Sequence, residues 1–408
     1  MNNFPTLNEQ MDLICRGIVE ILPESELEKK IAKSIQNKRP LNIKLGCDPS
    51  RPDLHLGHSV VLKKLRQFQD LGHTAILIVG DFTGMIGDPS GRNKTRPPLT
   101  IEETRINGET YFDQAKKILS ENNIKIIYNS DWLSKMSFSD VIKLASKYTV
   151  SQILEREDFH TRFNKEEPIS LHEFLYPLAQ AMDSVEIKSD VELGGTDQKF
   201  NLLVGRTIQK EFGQAPQVIL TMPILIGTDG VEKMSKSLDN YIGISDAPSQ
   251  MYGKTLSIPD KLIADYFLLA TNLPKVEVEK IKKDFENGSA NPRDLKRFLA
   301  RTIVAQYYNE EIAKKSEEEF DKIFIKKEIP DDIEEITFGK IGTEINIAQL
   351  LTEVKLTPSK SEARRLIEQG AVTINNKKIV DVKNNLYFCE PLLIKVGKRK
   401  FLKINPEN

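Results

Sequence analysis

The chain has 408 residues, 39% apolar and 29% charged, a balance that supplies a sizeable core and excludes a disordered chain, a toxin-like peptide and a lone binding module. The formal charge of −1 hides an asymmetry: residues 345–408 hold nine Lys and three Arg against six Asp and Glu, a tail of +6 behind a remainder of −7, the pattern of a polyanion-binding tail on an acidic enzyme. Cys15, Cys47 and Cys389 are too scattered for a disulfide framework or a structural metal site, no apolar run approaches the ~20 residues of a membrane span, and MNNFPTLNEQ lacks leader character, so a cytoplasmic protein is expected.

From Pro40 the pattern alternates short apolar runs with helical periodicity. LNIKLG reads as a strand, residues 57–71 as a helix and TAILIVG as a second strand, a βαβ unit that calls for a parallel sheet. The polar, glycine-containing loop 81–98 leaves the carboxyl end of that second strand, where open α/β sheets bind ligands. IKIIYN reads as a further strand, followed by helices over 140–155 and 171–184, a strand at VELGG, a helix over 202–210 and a last strand in QVILTMPIL. Residues 245–335 read as helical throughout, a charged Pro-containing stretch up to about 344 as a linker, and the tail as helix, turn, helix and a hairpin bent at Asn375 and Asn376.

Two motifs carry chemistry. Asp48-Pro49-Ser50 and His55-Leu56-Gly57-His58 stand where the first strand turns into its helix, a junction whose N–H groups and dipole favour phosphate, with two imidazoles to donate and a glycine against which a flat base can lie. Lys233-Met234-Ser235-Lys236-Ser237 follows the last strand; two lysines on a polar loop can offset charge moving onto a departing pyrophosphate. Tyr176, Gln180 and Asp183 stand at i, i+4 and i+7, one face of a helix, so all three can enter one pocket.

HLGH resembles the first signature of class I aminoacyl-tRNA synthetases, KMSKS matches their second, and GDFTGMIGDPSGRNKTRPPL, HEFLYPLAQAMDSVEIKSDVELGGTDQKFNLLVGR and the basic tail resemble bacterial tyrosyl-tRNA synthetases along nearly the whole chain. The resemblance implies a Rossmann-like α/β catalytic domain over 1–240 with a dimerisation segment near 130–165, a small α-helical anticodon-binding domain over 241–335, a linker over 336–344, and over 345–408 an α+β RNA-binding module of the ribosomal S-four type. It implies L-tyrosine, ATP with Mg²⁺ and tRNA(Tyr) as partners of a homodimer, with no protein-bound structural metal and no membrane.

Carried over motif by motif, the resemblance assigns Ser50, His55, His58, Lys233, Lys236, Arg92 and Arg96 to the phosphates. It gives Asp48, Gly57, Gly195, Asp197, Met234, Ser235 and Ser237 to the rest of ATP. Asp88, Tyr176 and Gln180 fall to the tyrosine ammonium, Asp183 to the phenol, Gln198 to the carboxylate side, and Lys360, Arg364, Arg365, Lys377 and Lys378 to RNA. Two positions depart from it: Lys44 stands where many relatives have a tyrosine at the pocket, and Asp81 where glycine is common, so a Lys44–Asp81 pair is expected. His73, His160 and His172 read as structural or surface residues, and Cys47 as a small buried side chain. Three rival readings remain at this point: a tryptophanyl-tRNA synthetase, which lacks this tail; a synthetase scaffold kept only for RNA binding; and a cofactor-making nucleotidyltransferase, which needs neither helical domain nor tail.

Overall fold

Six strands carry the site: β1 (Glu20–Leu22), β2 (Asn42–Cys47), β3 (Thr74–Val79), β4 (Ile124–Tyr128), β5 (Val191–Gly195) and β6 (Val218–Met222), in the spatial order β1-β6-β5-β2-β3-β4. The computed structural model describes residues 4–48, 54–88, 100–325, 333–397 and 400–407, which divide into two compact units, one up to Glu310 and one from Glu311. Strands β2 to β6 pair in parallel. The short β1, which periodicity does not reveal, adds to β6 antiparallel. The chain leaves β2 for β3 on one side and returns to β5 on the other, so the sheet opens a crevice at the carboxyl ends of β2 and β5.

The parallel strands are apolar because helices cover both faces. Every residue of β6 is buried, as are five of the six in β3. The Leu56–Asp70 helix is buried around most of its circumference, with Leu56, Val60, Leu62, Leu65 and Phe68 all buried. Leu171–Glu186 packs beside Lys199–Glu211, with Ala181, Val185, Val204 and Ile208 in one core cluster. The expected helix over 140–155 is instead two, Phe138–Ala145 and Val150–Ile153: Thr149 accepts from Gln152 N at 3.2 Å and Gln152 returns to Thr149 N, a capping box that starts a new helix. From Pro248 helices run to Tyr307 without an intervening strand.

The second unit holds its own core, with Leu350, Leu351, Ala363, Ile367, Val372, Phe388 and Ile394 buried together. Helices Ile347–Glu353 and Lys360–Glu368 lead into the hairpin of β9 (Val372–Ile374) and β10 (Lys377–Ile379), preceded by β7 (Glu335–Lys340) and β8 (Glu344–Asn346) and followed by β11 (Asn385–Tyr387), β12 (Leu392–Val396) and β13 (Lys400–Glu407). Asn375 and Asn376 both take positive φ, as a two-residue hairpin turn requires. The stretch expected as a linker is largely strand: β7 pairs in parallel with β13, and β8 antiparallel with β11. Of its three apolar residues, Ile336 and Phe338 face this core and Ile341 is exposed, too few to register as a strand pattern. No helix among the described residues is long and apolar enough to cross a membrane.

Candidate active site

A cavity of about 550 Å³ opens at the crevice between β2 and β5, lined by both motifs and by the helix face that carries Tyr176, Gln180 and Asp183. At its floor Gly80 has no room for a side chain: a Cβ there would lie 1.9 Å from Asp48 Oδ1 and 2.3 Å from Thr83 Oγ1. The close approach lets Thr83 donate to Asp48 Oδ1 at 2.7 Å, while the Tyr176 hydroxyl donates to Oδ2 at 2.9 Å.

His55 is the N-cap of the Leu56–Asp70 helix, its Nδ1 accepting from Gly57 N at 3.2 Å; His58 Nδ1 accepts from His55 N at 3.3 Å. Both Nδ1 atoms are therefore acceptors, which puts the proton of each neutral ring on Nε2. Neutrality follows from burial first, with the charge of Lys236 acting the same way: His55 is lowered to about 2 and His58 to about 4. The pair offers neutral N–H donors to an anion rather than fixed charges.

Lys233 Nζ lies 3.2 Å from Asp197 Oδ2. Met234 is buried and its N–H donates to Leu225 O, which anchors the motif's middle. Asn240 holds its flanks, accepting from Ser235 N at 2.7 Å and donating to Lys233 O at 3.1 Å; Ser235 and Ser237 share a hydroxyl contact of 2.9 Å. Lys236 Nζ stands 5.6 Å from the centre of the Tyr241 ring.

At the opposite end Asp183 is buried, accepting from Trp132 Nε1 at 3.0 Å and, weakly, from Asn129 Nδ2 at 3.4 Å. Burial pushes its carboxyl up to about 7, partly offset by Lys44 and by these two donors. Between the ends, Gln198 donates to Asp88 Oδ2 at 2.8 Å, and Arg156 reaches Asp88 Oδ1 at 3.5 Å and Asn201 at 3.2 Å. Gly195 borders Asp197 closely: a Cβ on it would lie 2.6 Å from Asp197 Oδ1.

Each candidate from the two motifs and the helix face that lies in a described residue borders this one cavity; Ser50, Arg92 and Arg96 lie outside the described residues. The expected Lys44–Asp81 pair does not form. Lys44 registers opposite Ile76 on β3, on the order of 15 Å along the chain direction from Asp81 at ~3.3 Å per residue, and opposite Glu192 on β5. Its Nζ meets Glu192 Oε1 at 2.8 Å, with both side chains fully buried. Asp81 takes Ser130 N at 2.9 Å, Ser130 Oγ at 2.6 Å and Arg105 Nε at 3.1 Å. Lys44 is therefore not at the cavity wall. His73 is buried between Leu41 N and Gln10 Oε1, and His160 and His172 are exposed. Burial and the neighbouring Asp48 push the Cys47 thiol up to about 12, which keeps it protonated.

A family model described as tRNA synthetases class I (W and Y) matches residues 36–325, and a tyrosine–tRNA ligase SYY-like C-terminal domain matches residues 325–404. The tyrosine–tRNA ligase of Chlorobaculum tepidum is 56% identical over 402 residues, 98% of each chain, and that of Thermotoga maritima 53% over 400 residues, again 98% of each. The chain belongs to the class I tyrosyl-tRNA synthetases. Among solved structures, the Archaeoglobus fulgidus tyrosyl-tRNA synthetase complexed with L-tyrosine superposes with a TM-score of 0.63 at 25% identity, covering 76% of this chain and 100% of that one. As a member of that family the chain is an aminoacyl-tRNA ligase of α/β fold with a distinct C-terminal domain.

For a synthetase of this kind, sequence reasoning passes over several residues that hold the site. Asn129 and Trp132 follow the carboxyl end of β4, the location rule that singles out loop 81–98, and Trp132 is the chain's one tryptophan. Glu192 carries a plainer signal: a charge in the middle of one core strand requires an opposite charge in its neighbour, and Lys44 is the charge in the middle of β2.

Proposed function

We propose that this synthetase activates L-tyrosine with ATP, releasing pyrophosphate, and then passes the tyrosyl group to the 3′ end of tRNA(Tyr). The observation that carries the specificity is Asp183, a buried acceptor braced by Trp132 and Asn129 at the far end of a cavity whose mouth holds both nucleotide motifs. The tyrosine carboxylate attacks the α-phosphate in line, with the Nε2–H groups of His55 and His58 and the ammonium groups of Lys233 and Lys236 facing charge that moves onto the leaving pyrophosphate. Ser50, Arg92 and Arg96 are assigned to the same phosphates by motif alone. Asp197 and Gly195 border the ribose, Gly57 the base, and Asp88, Tyr176, Gln180 and Gln198 the amino-acid backbone. Mg²⁺ is read as arriving on the triphosphate.

Pyrophosphate exchange without tRNA tests this reading. It should proceed with tyrosine and not with phenylalanine or tryptophan; exchange with none of the three would overturn it.

The homodimer rests on exposed apolar residues gathered in and beside the 130–165 segment: Phe138 and Leu171 are 80% and 81% exposed, and Ile142, Val150 and Phe163 are exposed too. A second copy covers such a face. Phe138→Asp with Leu171→Asp should convert a sedimenting dimer to a monomer; an unchanged dimer would place the interface elsewhere.

The region expected to be helical over 241–335, of which 326–332 lie outside the described residues, is read as the anticodon side, the enzyme as cytoplasmic, and the tail as the tRNA-backbone contact. Lys360, Arg364, Arg365, Lys377 and Lys378 are all exposed, with Arg365 paired to Glu362 at 2.6 Å. Gly370 takes φ +62°, and the Lys378 stem lies where its side chain would be, so the hairpin lysine sits against the helix end. Arg364→Gln with Lys377→Gln and Lys378→Gln should weaken tRNA binding and lower its salt slope by roughly 0.7–0.9 per lost contact, leaving exchange unchanged.

A further inference from the structure

The Lys44–Glu192 pair lies behind the tyrosine pocket rather than in it, and its hydrogen bonds lead to one pocket residue. Lys44 Nζ places its three protons on Glu192 Oε1 at 2.8 Å, the main-chain carbonyl of Gln180 at 2.9 Å and Ser184 Oγ at 2.8 Å. Glu192 is saturated in turn: Oε1 takes Lys44 and Gln180 Nε2, the latter at 3.3 Å, and Oε2 takes Ser184 Oγ at 3.2 Å and Gln217 Nε2. Gly205 gives the cluster room, since a Cβ there would lie 3.2 Å from Glu192 Oε2.

A carboxylate only accepts, so the edge of the Gln180 amide that faces Glu192 must be its NH₂. The opposite edge, Oε1, is then fixed in direction, and it is buried with no hydrogen-bond partner although Gln180 borders the cavity. A buried acceptor left open is a cost unless a ligand supplies the donor. We propose that Lys44 and Glu192 are positioning residues: together they lock the Gln180 amide so that its oxygen, never its NH₂, meets the α-ammonium group of the incoming tyrosine. This rests on the reading of Gln180 as an ammonium contact. An unlocked amide could present two N–H donors to a cation, which repels it, and the lock removes that alternative.

The test compares L-tyrosine with 3-(4-hydroxyphenyl)propionate, which has the phenol and carboxylate but no amino group, by calorimetric binding to the full-length enzyme. Lys44→Met with Glu192→Gln removes both buried charges together, a change that cores tolerate, and leaves position 192 able to face either edge of the amide. Tyrosine should bind about tenfold more weakly to this variant while the deamino acid binds as before, and kcat for exchange at saturating tyrosine should hold. Equal weakening of both ligands would mean a merely structural role, and no change in either would mean no lock; each overturns the proposal. Gln180→Ala separates this from failure of the underlying reading: if it leaves the preference for tyrosine over the deamino acid intact, Gln180 is not the ammonium contact. If Gln180→Ala erases that preference and the double variant does not, only the positioning role falls. Should the double variant not fold, Glu192→Gln alone is read with the same two ligands: weakening of tyrosine but not of the deamino acid upholds the proposal, and equal weakening or none overturns it.

Discussion

Asp183→Ala is expected to lower kcat/KM for tyrosine in pyrophosphate exchange by roughly ten- to a hundredfold and to bring tyrosine and phenylalanine within about tenfold of each other. The phenol loses a hydrogen bond to a buried carboxylate, worth about 1.5–3 kcal/mol, while Trp132 Nε1 and Asn129 Nδ2 lose this partner in the free and the bound enzyme alike, which costs stability rather than kcat/KM. At 1.4 kcal/mol per decade the loss at the phenol is about one to two decades. Phenylalanine gains where tyrosine loses, because in the wild-type site a ring without a hydroxyl covers Asp183 and gives it no donor beyond Trp132 and Asn129. A loss under tenfold with the tyrosine preference intact would show that another residue reads the hydroxyl.

The same carboxyl sets a pH dependence. Burial raises it to about 7 from an ordinary 3.8, so below about pH 7 it is a neutral acid, a weaker acceptor for the phenol than the carboxylate. Tyrosine kcat/KM should therefore fall toward lower pH, by up to tenfold per unit below about 7, and the fall should vanish in Asp183→Ala. For stability the sign is opposite. A raised acid binds its proton more tightly folded than unfolded, so this group's contribution is full below about pH 4 and is lost as pH rises through about 7. Bound tyrosine should then stabilise the enzyme more at pH 8 than at pH 5, a difference readable as a larger thermal shift.

Lys233→Ala with Lys236→Ala should cost about 10³ in kcat for exchange with little change in the tyrosine KM. The lysines face charge that grows only as pyrophosphate leaves, so their loss raises the barrier without loosening the amino acid. Each alone should cost about 10²–10³, and the two should not multiply, because they act on one leaving group. A matching rise in tyrosine KM would instead mean that the loop shapes the whole pocket.

The parallel sheet is legible because buried strands are apolar runs and the helices between them keep their period, as in TAILIV and VILTM. What periodicity cannot deliver is partnership across the sheet. Lys44 and Asp81 match in the sequence as two unusual charges in or next to neighbouring strands, but pairing follows register, and register places Lys44 opposite Glu192. The three-residue β1 and the strand in the expected linker escape for another reason: three to six residues with mixed polarity carry too little pattern to separate from loop. The catalytic motifs are legible because their chemistry is local, a helix start and a lysine loop. The residues bracing them, Thr83, Asn129 and Trp132, come from elsewhere in the chain and are joined only by folding.

The ion pair between Lys233 and Asp197 makes the resting enzyme its own competitor. On the proposed assignment of Asp197 to the ribose, the carboxylate that a ribose hydroxyl would use is held at 3.2 Å by an ammonium group from the same chain, so nucleotide would have to displace that ammonium. Both partners are partly exposed, which limits the tether to about 1 kcal/mol, less than one decade of apparent affinity. Displacement also has a product: the lysine that leaves Asp197 is released while a triphosphate is arriving, and the inhibitor that delayed the nucleotide becomes free to work on it.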